Sequence, residues 1–176
     1  MITADRDVIE WKCLTELRKW HTDDDAAHLF VPEDELVVVE SNLLVYGGAS
    51  ALWNRLLVAA PAVTAFDNTN AQIGVGTSST AEAATQTTLV AQTLRKGMDA
   101  TYPQHTDATT AGAQTATFRS SFLTAEANAV WAEWGIFNGS ATTGAAAGGR
   151  MLNRKVQALG TKVSGTWQLT LTLSLA

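Results

Sequence analysis

The chain has 176 residues, 46% hydrophobic and only 16% charged: enough for one domain with a real core, but less charge than a free-standing soluble enzyme usually carries. A formal net charge of −5 with no basic run argues against a nucleic-acid partner, and the longest apolar run, around Leu56 to Ala62, is too short to span a bilayer. Cys13 is the only cysteine, which excludes an intrachain disulfide and a thiolate metal cluster and fits folding in a reducing cytoplasm.

The first residues lack the basic start and apolar core of a signal peptide. Asp5, Asp7, Glu10, Glu16, Asp23, Asp24, Asp25, Glu33, Asp34, Glu35 and Glu40 place eleven of the seventeen carboxylates in the first forty residues. That shift predicts an acidic N-terminal arm over 1–40, ahead of a neutral Ala/Thr/Gly-rich body over 41–176. Within the arm, Ile9, Cys13, Leu17 and Trp20 recur at roughly helical spacing, while Ile9, Trp11 and Cys13 alternate as in a strand. A short amphipathic helix is the first expectation and a strand the rival. His21 to Asp25 reads as a polar break, and Glu35 to Glu40 as a strand of β-branched residues.

Gly47-Gly48 interrupts the start of the next helical pattern, which predicts a helix from about Ala49 to Ala60 ended by Pro61, with a core face of Leu52, Trp53, Leu56, Leu57 and Ala60. From Ala71 onward the pattern turns to β. Gln72-Ile-Gly-Val-Gly76 is a strand whose glycines mark close backbone approach. Thr77 to Gln86 is a loop of small residues. Further strands are expected at about 93–100, 113–123, 130–138 and 151–157. The clearest is the last, where Trp167, Leu169, Leu171, Leu173 and Leu175 alternate with Gln168, Thr170, Thr172 and Ser174. Segments 106–112 and 139–149 read as hairpin tips. The sum predicts a mainly β chain: an antiparallel β-sandwich with one helix and an N-terminal acidic arm.

Few residues offer chemistry. His21, Asp23, Asp24, Asp25 and His28 could ligate a divalent ion, but their spacing matches no known metal motif, and adjacent aspartates point different ways; a solvated acidic segment is the expectation. Glu126 and Glu133 near Trp131 and Trp134 could make a carboxylate pair with aromatic platforms, as carbohydrate-active sites do. The same stretch reads as a core strand, with Glu133 at an edge or paired with Arg150, Arg154 or Lys155. No Gly-x-Ser-x-Gly elbow occurs, His105 has nothing to designate it a base, and Gly74-Val-Gly76 lacks the third glycine of a dinucleotide loop. Catalytic, cofactor and metal residues are therefore expected to be none. Of six tryptophans, Trp53, Trp131, Trp134 and Trp167 fit core faces. Trp11 and Trp20, with Asp23, Asp24 and Asp25, are the candidate interface; the indoles either anchor a neighbour or fold back on the body.

Several segments, taken in order, carry a resemblance: Glu40-Ser-Asn-Leu-Leu44, Ala65 to Ser79 (with Asp67-Asn-Thr-Asn70 and Ile73-Gly-Val-Gly76), Met98-Asp-Ala-Thr-Tyr-Pro103, Thr117-Phe-Arg119, Ala125-Glu-Ala-Asn128, Glu133-Trp-Gly-Ile-Phe-Asn138, Met151-Leu-Asn-Arg-Lys155, Leu159-Gly-Thr-Lys162 and the terminal strand from Trp167. From about Glu40 to Ala176 the chain resembles small accessory virion proteins of tailed bacteriophages, and its layout is similar to fibre-anchoring domains of phage tails. The resemblance implies a homo-oligomeric structural subunit of the head or of the tail or neck. Its partners would be capsid, neck or tail subunits, with no cofactor, no nucleic acid and no membrane, in a virion assembled in the host cytoplasm. The alternative is a carbohydrate-binding or carbohydrate-cleaving module built on Trp131, Trp134, Glu126 and Glu133.

Overall fold

The computed structural model describes residues 10–28, 33–59, 62–139 and 149–175. Ten strands and two helices follow in the order β1 (Trp11–Trp20), α1 (Asp23–Ala27), β2 (Glu35–Glu40), β3 (Leu43–Leu44), α2 (Tyr46–Leu57), β4 (Gln72–Gly76), β5 (Gln92–Gly97), β6 (Gln104–His105), β7 (Thr115–Phe122), β8 (Val130–Phe137), β9 (Asn153–Thr161) and β10 (Thr166–Leu175). They form two five-stranded antiparallel sheets, the first ordered β2-β1-β10-β7-β6 and the second β3-β9-β8-β4-β5. The fold is mainly β and has the two-sheet architecture of a sandwich.

The core lies between the sheets. Alternation on the first sheet sends Cys13 and Leu17 of β1, Phe118 and Phe122 of β7, and Leu169, Leu171 and Leu173 of β10 inward. The second sheet answers with Ile73, Val75, Trp131, Trp134 and Ile136. Trp131 joins the two layers: its ring meets Phe122 at 4.8 Å and Trp167 at 5.0 Å, both edge to face. The indole N–H groups are not wasted, since Trp131 Nε1 donates to the Ala127 carbonyl and Trp134 Nε1 to Thr15 Oγ1 across the core. Cys13 sits in the same layer, and burial raises its thiol to about 11.

Three expectations need correction. Residues 11–20 are a strand, not a helix, because Cys13, Thr15 and Leu17 all face inward while Leu14 and Glu16 face out, a period of two. That strand is no arm either. It lies inside the first sheet, paired with β10 over its whole length from Trp11↔Leu175 to Trp20↔Thr166, and with β2 on its other side. Residues 10–28 and 33–40 thus belong to the sandwich body, and no boundary falls at residue 40; Asp5, Asp7 and Ile9 lie outside the described residues.

The second correction is to the helices. A short α1 occupies the expected polar break, with Thr22 Oγ1 accepting from the Asp25 N–H as its N-cap, so there are two described helices rather than one. The third concerns α2, which starts at Tyr46 and takes Gly47 and Gly48 into its first turn. Gly48 lies so close to Leu152 that a Cβ there would stand 2.1 Å from the Leu152 carbonyl oxygen, and only a glycine permits that approach. The helix therefore packs through Gly48 and Ala51, while Leu52, Trp53, Leu56 and Leu57, expected in the core, face solvent. Val58 is its C-cap; Ala60 and Pro61 lie outside the described residues, as does most of the expected 139–149 tip. The 106–112 tip connects β6 to β7, which pair with each other.

Deleting residues 1–41 removes β1, α1 and β2 together and bares the edge of β10. The remainder is expected to lose cooperative urea unfolding and a dispersed amide NMR spectrum; a soluble, cooperatively folded remainder would contradict this register.

Candidate functional site

The second sheet is covered on its outer face as well. β4 is buried at every position, and a segment over 77–91 lies across β8 and β9. Beneath it sits an ion pair with neither side chain exposed: Arg154 Nη2 and Nε donate to Glu133 Oε2 at 2.7 and 2.9 Å. The covering segment completes both shells. The N–H groups of Val90 and Ala91 donate to Glu133 Oε2 and Oε1. Arg154 donates to the Thr80 and Ala81 carbonyls and to Gln86 Oε1. Gly76 leaves the room for this, since a Cβ there would stand 2.5 Å from the Ala91 carbonyl oxygen and 2.7 Å from Glu133 Oε1. Of the three partners considered for Glu133, Arg154 is the one the structure selects.

Neighbouring polar groups are held in the same way. Arg95 lies over the Phe137 ring at 3.6 Å and donates to Gln92 Oε1, and burial lowers its guanidinium to about 10. Glu82 Oε1 accepts the Val156 N–H. At one end of the sandwich, Lys162 Nζ donates to the Leu123 carbonyl and Asn128 Oδ1, closing the turn before β8; desolvation holds its ammonium below the usual lysine value, with Asp23 and Glu126 opposing. Asp99 accepts from Arg119 Nε and from the Ser121 N–H and hydroxyl.

The Glu126–Glu133 pair with tryptophan platforms does not form. Trp131, Trp134 and Glu133 are all fully buried, so no sugar ring can stack on either indole. Glu133 already accepts four hydrogen bonds, three on Oε2 and one on Oε1, and is shut off from solvent. Glu126 is engaged elsewhere, with Lys96 Nζ and the Leu123 N–H. His105 Nδ1 lies 3.0 Å from the Thr115 carbonyl on an exposed edge.

The candidate interface residues are spread over one end of β1 and α1 and at the far end of β1. Trp11 is half-buried against the core, with its Nε1 shielded and without a hydrogen-bond partner among the described residues. Trp20 is half-buried. Asp23 is tied to the body: its Oδ1 accepts from the Thr166 hydroxyl and from the N–H and hydroxyl of Thr124, and the Thr166 bond foremost lowers its carboxyl below the usual value. Asp24 is exposed and Asp25 half-buried in the capped turn. His21 pairs with Asp34 at 3.1 Å, whereas His28 Nδ1 sits 2.6 Å from the Asp24 carbonyl. Among the described residues no three His, Cys, Asp or Glu side chains converge to hold a metal, and no helix is long and apolar enough to cross a membrane.

What stands out on the surface is α2. Trp53, Leu56 and Leu57 are 60, 72 and 73% exposed, and Tyr46, Leu52 and Val58 flank them. Helical spacing sets these side chains along one continuous side, and the packed side is taken by small residues. The helix cannot swing to hide them, because its start is fixed: Tyr46 N–H donates to the Ala84 carbonyl and Val45 N–H to that of Leu152. Sequence reasoning found Leu52, Trp53, Leu56 and Leu57 but assigned them to the chain's own core, and it did not include Tyr46 or Val58.

No protein-family model, curated protein or solved structure matches the chain.

Glu133→Ala leaves the Arg154 guanidinium buried without its counter-charge. It is expected to lower stability by about 3–5 kcal/mol in urea unfolding. A loss below about 1 kcal/mol, the range of a surface ion pair, would contradict the buried clamp.

Proposed function

We propose that the chain is a non-enzymatic structural subunit of a tailed-phage virion, an accessory protein on the head or on the tail or neck that contacts neighbouring subunits. The observation that carries this reading is the fixed apolar stripe of α2. Scattered exposed leucines need no explanation, but a contiguous stripe with a tryptophan at its centre marks a surface that is covered in the working state. Burying each of its large side chains contributes about 1.5–3 kcal/mol, enough in sum to offset a substantial part of the cost of association.

Two further features support it. The low charge of the chain fits a protein whose surface is shared with neighbours. The segments that carry the resemblance to phage accessory proteins also supply polar contacts that tie the sandwich together: the buried Glu133, Arg154 and Lys162, the half-buried Asp99 and Arg119, and the exposed Asn128 all lie in them. The likeness is therefore to residues that build a scaffold.

The chain is expected among the proteins of gradient-purified particles from the strain that encodes it, at a constant ratio to the major capsid or tail protein by quantitative mass spectrometry. Its absence from particles, with the protein abundant in the lysate, would overturn the reading.

A further inference from the structure

The α2 stripe has an unlike counterpart elsewhere on the same chain. On the outer face of the first sheet, Leu14 of β1 and Leu36 and Val38 of β2 are exposed. The register sets Leu14 opposite Glu40, Val38 opposite Glu16 and Leu36 opposite Arg18, so apolar and charged side chains interleave. The two cations on this face are already paired, Lys12 with Glu10 and Arg18 with Glu33, which leaves it net acidic through Glu16 and Glu40. Glu40 is exposed and takes part in no ion pair among the described residues, and Glu16 reaches Arg18 only at 3.7 Å.

The charge around α2 is of the other sign. Residues 41–66 contain no Asp or Glu, and their one charged side chain is Arg55, in the last turn of the helix. Arg55 Nη1 reaches only the Val63 carbonyl, at 3.5 Å. Arg150 lies beside the helix, donating to Ser50 Oγ at 2.9 Å. Neither guanidinium has a carboxylate partner among the described residues. Trp11 lines both the groove beside Leu52 and the groove beside Leu14 and Glu40, so the two patches adjoin at the Trp11 corner.

We propose that the α2 stripe docks on the outer β1–β2 face of a second copy of this chain, with Arg55 and Arg150 meeting Glu40 and Glu16. Pairing like with like would set arginine against arginine, or carboxylate against carboxylate. Pairing unlike patches joins apolar to apolar and opposite charges together. Because the patches adjoin, both contacts form at once about a two-fold axis near Trp11, in which each residue meets a different residue of the partner. This rests on the reading of the chain as an assembly subunit and names its first partner.

Sedimentation equilibrium of the full chain tests it. The wild type is expected to exceed its monomer mass of 18.7 kDa as concentration rises, and Leu56→Glu to remain at that mass. Arg55→Glu and Glu40→Arg each move the association midpoint to about tenfold higher concentration. Combined in one chain, they restore it. All three positions are exposed, so circular dichroism should be unchanged. A wild type that stays monomeric up to about 1 mM would overturn the proposal. So would a double variant as weak as its single parents. A chain found in particles but monomeric alone defeats this proposal and leaves the virion reading standing; a self-associating chain absent from particles does the reverse.

Discussion

The buried pair between Glu133 and Arg154 is the contact on which the placement of α2 depends. Removing two charges from water is costly, and the pair persists because the 77–91 segment supplies the remaining hydrogen bonds on both sides. That segment in turn fixes α2, through the bond from the Tyr46 N–H to the Ala84 carbonyl. Gly48 then seats the helix on the backbone of Leu152, two residues from the arginine. With one side pressed to the body through Gly48 and Ala51, the large apolar side chains have nowhere to go but outward. An electrostatic clamp on one face of a sheet thus decides what another element shows to its surroundings.

The same arrangement commits the most chemically suggestive residues to contacts within the fold. A carboxylate between two tryptophans has the composition of a glycan site, yet here the indoles face the inter-sheet core and the carboxylate faces the opposite side of β8. A bulge between Trp131 and Glu133 breaks the simple alternation of that strand and helps bring both indoles inward. Lys162, Asp99 and Asp23 likewise spend their hydrogen-bonding capacity on turns and strand ends.

How much of this was legible in the sequence depended on what each face meets. The strand from Trp167 to Leu175 was plain because one face is buried and the other carries the Thr and Gln side chains of a more open surface. The β4 and β8 strands were legible as apolar or glycine-rich runs, although their burial on both faces required the 77–91 segment, which has no hydrophobic signature of its own. In β1 the inward row includes Thr15, a buried hydroxyl that accepts the Trp134 N–H, and this polar position disguised a period of two as a helical one. The clustering of carboxylates likewise suggested an arm, because charge marks solvent exposure and says nothing about strand pairing. The α2 stripe was visible as a pattern but not as a surface, since an amphipathic helix reads the same whether its apolar side faces its own core or another molecule.

The central claim is that the outward side of α2 is covered in the assembled state. Hydroxyl-radical footprinting of the isolated subunit and of intact particles tests it directly, with Trp53, Leu56 and Leu57 as reporters. The account predicts strong oxidation of all three in the isolated chain and protection in the particle, while exposed Val163 on the β9–β10 turn stays reactive in both. Equal oxidation of the three in both states would contradict it.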